Sequence, residues 1–152
     1  MISIKRILVP TDFSEPGRIA LRYAVEFAVQ FGAAVDLMHV VESVPAGALL
    51  SYRPIDELKA SIRAHAEDEM EKLHSEWSEH NFPVRKVVVD GHPFVEIVRH
   101  AKKNDTDLII MGTHGRGAIA HMMLGSVTEK VIRKSPCPVL TVRDPEHEFI
   151  HP

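Results

Sequence analysis

Leu108-Ile109-Ile110-Met111 runs straight into Gly112-Thr113-His114-Gly115-Arg116-Gly117, and further on Gly125-Ser126-Val127-Thr128 opens a stretch carrying Val127, Val131 and Ile132 at helical spacing. A short apolar run bounded by glycine reads as a buried strand. Strand, glycine-rich turn and helix start together make a place to hold phosphate. Glycine lets a backbone approach a ligand closely and tolerates positive φ. The first N–H groups of a helix have no partner within it, and their partial positive charge favours an anion. Ser126 and Thr128 add hydroxyl donors at the same end.

Outward from this stretch, strand and helix patterns alternate. Ile4 to Pro10 predicts a buried first strand, ended by its proline. Ser14 is a candidate cap for the first helix, with Pro16 in the first turn, where a missing N–H costs little. Ile19, Tyr23, Phe27 and Phe31 recur every four residues beside Ala20, Ala24 and Ala28, and Gly32 stops the helix. Ala34 to Val41 predicts a second strand. Ser43 to Arg53, with Leu49, Leu50 and Tyr52, reads as a loop. Ile55 to Glu79 predicts a long helix with Leu58, Ile62, Ala66, Met70, Leu73 and Trp77 as its buried stripe. Val84 to Asp90 is a third strand, and Val95, Ile97, Val98 and Ala101 mark a helix ending near Asn104. Leu108 to Met111 is the fourth strand, Ser126 to Lys134 the last helix, and Val139 to Val142 the fifth strand. Strict alternation implies an α/β domain with a parallel sheet covered on both faces and right-handed crossovers. Such a sheet binds its ligand at the carboxyl ends of the strands, where the strand order reverses. If strands one and four are central neighbours, Pro10-Thr11-Asp12 and Met111-Gly112 face one crevice.

Composition bounds the rest. The 152 residues suit one domain with a substantial core. Hydrophobic residues make up 45% and charged residues 26%, ordinary values for a globular protein. The net charge of −3 gives no basic excess to suggest nucleic acid. No apolar run approaches the ~20 residues needed to cross a membrane. The beginning, Met1 to Arg6, carries no apolar signal core, and Cys137 is the only cysteine, so no intrachain disulfide can form. A cytoplasmic location is expected.

Two familiar phosphate motifs do not fit. No Gly-Lys-Ser/Thr ending of a P-loop occurs. The dinucleotide fingerprint belongs after the first strand, and here the glycines follow the fourth. What is present reads Gly-x2-Gly-x9-Gly-Ser from Gly112 through Gly115 to Gly125-Ser126. Together with Pro10-Thr11-Asp12, with Gly91 and Pro93 after the third strand, and with Pro136-Cys137-Pro138-Val139-Leu140, it resembles the ATP-binding members of the universal stress protein family. The resemblance spans about Lys5 to Arg143.

That resemblance implies a single doubly wound, five-stranded parallel sheet of order 3-2-1-4-5, of the adenine nucleotide alpha-hydrolase-like type. It implies a domain over residues 1–143 and a short tail over 144–152. It implies ATP as ligand, with Mg2+ or Mn2+. The nucleotide site it points to comprises Pro10, Thr11, Asp12, Val40, Met111, Gly112, Thr113, His114, Gly115, Arg116, Gly125, Ser126, Val127 and Thr128. Within it, Asp12 lies beside the adenosine part or orients the cation, and otherwise is a turn residue bonding its own backbone. Val40 offers its backbone to the adenine edge, or is plain core. Met111 packs on base or ribose, or is core. Arg116 pairs with outer phosphates or is a solvated loop residue. Ser126 is an N-cap, a phosphate donor, or both. Thr128 bonds phosphate or its own first turn. Thr113 and His114 line the pocket; Gly117 falls outside the family spacing and serves only to keep the loop supple. The family also implies a homodimer through the last strand, Val139-Leu140-Thr141-Val142, an apolar edge that needs cover from a partner or from the tail after Arg143.

Other chemistries find little support. His65, His74 and His80 share a helix without an i, i+4 pair, and the remaining histidines are scattered. Cys137 between two prolines lacks a paired base, and Ser14 and Ser126 lack a nucleophile elbow. Three functions stay in view. The first is a nucleotide-binding stress-response switch that is not an enzyme. The second is a slow ATP hydrolase or nucleotide transferase. The third is a nucleotide-free dimerisation or chaperone-like module.

Overall fold

The computed structural model describes residues 2–42, 54–77, 82–113 and 124–143. The expectations for the loop over 43–53, for His114, Gly115, Arg116 and Gly117, and for the tail over 144–152 lie outside the described residues. The elements run β1 (Arg6–Pro10), α1 (Glu15–Phe31), β2 (Ala34–Val41), α2 (Ile55–Ser75), β3 (Val84–Asp90), α3 (Pro93–Lys103), β4 (Leu108–Gly112), α4 (Ser126–Lys134) and β5 (Val139–Val142). The five strands form one parallel sheet in the order β3-β2-β1-β4-β5.

Alternation along each strand divides the core. Ile7, Val9, Val35, Leu37, Leu108 and Ile110 face α1 and α2, packing against Ala20, Leu21, Ala24, Val25, Met70 and Leu73. Leu8, Met38, Val40, Ile109 and Met111 face α3 and α4, meeting Ile97, Ala101 and Val131. Strands covered on both faces are apolar at nearly every position, as β4 and the middle of β1 are. Each fully buried Ile or Leu contributes about 1.5–3 kcal/mol.

The first helix departs from expectation. Tyr23 is 50% exposed and Phe31 44% exposed, while Ile19 and Phe27 are only partly covered. The buried face is Gly17, Ala20, Leu21, Ala24, Val25 and Ala28. Small residues let the helix axis lie close to the sheet, and the aromatics are displaced to its flank, where the Phe27 and Phe31 rings stack. In α2 the stripe holds at Ala66, Met70 and Leu73, but Ile62 is exposed. The helix ends at Ser75, short of the expected Glu79.

One buried carboxylate interrupts the apolar strands. Asp36 on β2 takes a fork from Arg85, Nε to Oδ1 at 3.0 Å and Nη2 to Oδ2 at 2.6 Å, and His100 Nε2 lies 2.9 Å from Oδ2. Asn104 ties Arg85 to the end of α3, and Arg6 donates to the Asn104 carbonyl. This network lies toward the amino ends of the strands, away from the crevice.

Candidate nucleotide site at the carboxyl ends of β1 and β4

Pro10 sets where the sheet opens. Thr11 N–H donates to Met38 C=O at 2.8 Å, so Thr11 faces β2. Backbone groups alternate sides along a strand, which turns the Pro10 nitrogen toward β4. Proline has no hydrogen to donate, so the next rung cannot form. Pairing of β1 with β4 accordingly consists of Ile7↔Leu108 and Leu8↔Ile109, whereas β1 stays paired with β2 through Pro10↔Met38. Beyond Leu8 and Ile109 the two central strands are no longer paired, at the point where strand order reverses, the usual ligand position in doubly wound sheets.

The β1 wall is a tight loop. Phe13 N–H donates to Thr11 Oγ1 at 3.0 Å, and Ser14 N–H donates to Asp12 Oδ1 at 3.0 Å. The Ser14 hydroxyl also donates to Asp12 Oδ1. Ser14 stands at the N-cap position of α1, but its side chain makes no cap hydrogen bond. The expected cap is absent; the hydroxyl is turned to Asp12, to which it donates, and in that orientation its oxygen accepts no helix N–H. Asp12 behaves as a turn residue in this respect. Thr11 is buried and Asp12 half-buried.

The β4 wall is brought against this loop by glycine. A Cβ on Gly112 would lie 2.9 Å from Pro16 Cβ and 3.0 Å from the Pro16 carbonyl carbon and oxygen. A Cβ on Gly17 would lie 3.2 Å from Thr11 Oγ1 and 3.4 Å from Asp12 Oδ1. Both glycines serve close approach; positive φ is found instead at Phe13, with φ 65.

Behind Gly112, Thr113 is buried, donates its N–H to Val142 C=O at 3.0 Å and accepts from Gly125 N–H at 2.7 Å. That second bond docks the start of α4 beside the end of β4. Gly125 itself is the N-cap residue, with φ −66 and ψ 146. Ser126 is thus the first helical residue and not the N-cap, and it is exposed. The first hydrogen bond of α4 runs from Glu129 N–H to Gly125 C=O. The amides of Ser126, Val127 and Thr128 therefore stand outside the helix's own bonding. The Thr128 side chain is buried, and its hydroxyl donates to Gly112 C=O at 3.0 Å, a tie back to the strand and not to its own turn. Val127 packs its side chain into the core between the sheet and α3 and α4.

Val40 and Met111 complete the described floor. Both are buried, at 8% and 5% exposure. Gly91 N–H donates to Val41 C=O at 3.0 Å, so Val41 faces β3 and Val40 faces the β1 side. There, β1 has already left the sheet at Pro10. The Val40 backbone thus points into the opening while its side chain belongs to the core.

Sequence reasoning did not single out Phe13, His39 or Gly17, and it treated Pro16 only as a helix-start residue. For His39 a signal existed: a polar residue between the apolar Met38 and Val40 of a covered strand needs a partner. Among the described residues no group of three or more His, Cys, Asp or Glu could hold a metal ion. Burial pushes the Cys137 thiol above its ordinary value, partly offset by Ser135.

The comparisons with known proteins agree with this architecture. The model of the universal stress protein family matches residues 3–143. Universal stress protein MJ0577 of Methanocaldococcus jannaschii is 36% identical, over 93% of this chain and 96% of that one. The solved structure of MJ0577 has a TM-score of 0.85 at 37% identity, covering 95% of this chain and 99% of that chain. Universal stress protein UspA from Lactobacillus plantarum has a TM-score of 0.81 at 27% identity, covering 93% and 99%. The universal stress protein from Archaeoglobus fulgidus solved in complex with dAMP shares the fold, with a TM-score of 0.65 at 22% identity over 93% and 98%. With its sheet order, its parted central strands and these likenesses in hand, the chain belongs to the universal stress protein family.

Proposed function

We propose that the crevice between β1 and β4 binds an adenine nucleotide, ATP, and that the protein is a nucleotide-dependent switch in a stress response and not a catalyst. The observation that carries this reading is the set of three amides, Ser126, Val127 and Thr128, presented by α4 beside the point where Pro10 parts the central strands. An anion is the natural occupant of such a helix start. The Val40 backbone, facing the same opening from β2, offers a donor and an acceptor to the edge of a base. The Archaeoglobus protein binds dAMP in the same fold; here the case rests on this chain's own residues.

In this reading Pro10, Thr11 and Asp12 form one wall, Met111, Gly112 and Thr113 the other, and Gly125 to Thr128 the phosphate end. His114, Gly115 and Arg116, outside the described residues, belong to the same proposed set. Mg2+ or Mn2+ would be held mainly by phosphate oxygens, with Asp12 as the carboxylate on the β1 side. Asp12 Oδ1 already accepts from Ser14 twice, which suits holding the loop better than acting as a base toward water. We further propose a cytoplasmic location and a homodimer paired through β5.

Protein purified without added nucleotide should release adenine nucleotide on denaturation, seen by mass spectrometry, or bind ATP with Mg2+ in titration calorimetry. Finding neither would remove the reading. Turnover of ATP that is lost with Asp12→Ala would replace the switch with a hydrolase.

A further inference from the structure

The loop that walls the crevice on the β1 side contains a non-glycine residue, Phe13, at φ 65. L residues rarely adopt that conformation, and an aromatic one does so only when its surroundings hold it there. The two hydrogen bonds on either side of it, Phe13 N–H to Thr11 Oγ1 and Ser14 N–H to Asp12 Oδ1, depend on the same turn. The first pins the Phe13 amide, and the Phe13 side chain packs against the core on the α1 and α2 side; neither contact holds the Thr11 carbonyl that precedes the turn.

The candidate is on the neighbouring strand. His39 Nδ1 lies 2.8 Å from Thr11 C=O. A carbonyl only accepts, so Nδ1 carries the hydrogen. The Phe13 ring lies on the His39 ring, with centroids 4.4 Å apart and planes 32° from parallel. One imidazole thus grips the loop twice, through the carbonyl before the turn and through the ring at its strained residue. Its place on β2, one residue before Val40, makes that grip part of the sheet.

We infer that His39 is a positioning residue for the nucleotide loop: it holds residues 11–14 in their ligand-ready form before any ligand arrives. This rests on the reading that the crevice binds adenine nucleotide. Without the grip, the cost of ordering the loop falls on the binding step and affinity drops. The donor, and not the bulk of the ring, is the essential part. Asparagine can set its amide N–H near the position of Nδ1, whereas phenylalanine keeps a ring and has no donor.

The test compares His39→Ala, His39→Asn and His39→Phe with the native protein, each checked for folding by urea denaturation. Two readouts are taken: ATP affinity by calorimetry, and hydrogen exchange of the Phe13 and Ser14 amides in the nucleotide-free protein. The expected result is about a tenfold loss of affinity and at least tenfold faster exchange at Phe13 and Ser14 in His39→Ala. Exchange in β1 and β4 stays unchanged, His39→Asn restores most of both readouts, and His39→Phe restores neither. Unchanged exchange at those two amides in His39→Ala overturns the assignment, as does rescue by phenylalanine and not by asparagine. If the native protein binds no ATP, the nucleotide reading fails, and the exchange experiment alone still decides whether His39 holds the loop.

Discussion

Gly112 at the end of β4 lies against Pro16 in the first turn of α1 so closely that a methyl group there would sit 2.9 Å from Pro16 Cβ and 3.0 Å from its carbonyl carbon. The contact joins two segments far apart in the chain, and it fixes how closely the start of α1 approaches the end of β4. The neighbouring atoms are backbone and a rigid ring, so they cannot swing aside. Gly112→Ala should therefore destabilise the fold by about 1–3 kcal/mol, the usual cost of overpacking. Urea denaturation checks this. Affinity for nucleotide should fall as well, since α1 must move and carries Thr11 to Ser14 with it. A variant as stable as the native protein would mean that the approach is looser than described.

Thr128 supplies the matching tie from α4. Its buried hydroxyl donates to Gly112 C=O, and valine is the same shape without the donor. Thr128→Val should cost about 1–3 kcal/mol, because it leaves a buried carbonyl without that partner. Thr128→Ser should cost less. The main-chain amide at 128 survives both changes, so nucleotide affinity should fall by less than about tenfold in Thr128→Val. A complete loss of binding would assign the hydroxyl itself to the phosphate.

The edge strand offers a separable test of assembly. Thr113 N–H bonds Val142 C=O and Ile109 N–H bonds Pro138 C=O, so Pro138, Leu140 and Val142 face β4 while Val139 and Thr141 face outward. Thr141→Pro removes an outward donor and leaves the bonds to β4 untouched. Light scattering should show the native protein as a dimer and Thr141→Pro as a folded monomer. A native monomer, or a variant that remains dimeric, would place the partner elsewhere.

Asp36 governs the acid side of stability. Burial works against its ionised form, but hydrogen bonds from His100 and Arg85, with their charges, outweigh it, and the carboxyl titrates below its ordinary value. Its contribution is thus fully present above about pH 4, the unfolded value, and is lost as pH falls through the lower folded value. Asp36→Asn should cost about 2–4 kcal/mol at pH 7, less than a fully buried pair because the Arg85 side chain is 52% exposed. The gap between the native and variant proteins should narrow below pH 4. Thermal melts from pH 3 to pH 7 measure it, and a gap independent of pH would contradict the assignment.

The elements were legible because short apolar runs alternated with longer stretches at helical spacing, most of them closed by Pro or Gly. The apolar runs of the buried strands and the Pro and Gly stops gave β2, β3, α4 and β5 their limits as observed. Strand order came from the family resemblance, since alternation does not say which strands are neighbours. Of the apolar face expected for α1, Ala20, Ala24 and Ala28 are buried and Tyr23 and Phe31 are not, because packing favours the small side that approaches the sheet. At the site, the Gly112 and Gly125 neighbourhood and the Pro10 to Asp12 turn were visible as motifs. Their hydrogen bonds were not. The bonding of Ser14 to Asp12, of Thr128 to Gly112, and of His39 to Thr11 depends on backbone turns such as φ 65 at Phe13, which no residue type announces.

The most direct measurement follows the backbone amide signals of 15N-labelled protein during titration with ATP and Mg2+. The largest shifts should fall on Ser126, Val127 and Thr128, on Thr11 to Ser14, and on Val40, saturating at one nucleotide per chain. Absence of shifts at saturating ATP, or shifts that leave Ser126 to Thr128 unmoved while others respond, would mean that the parted strands and the start of α4 do not hold the nucleotide.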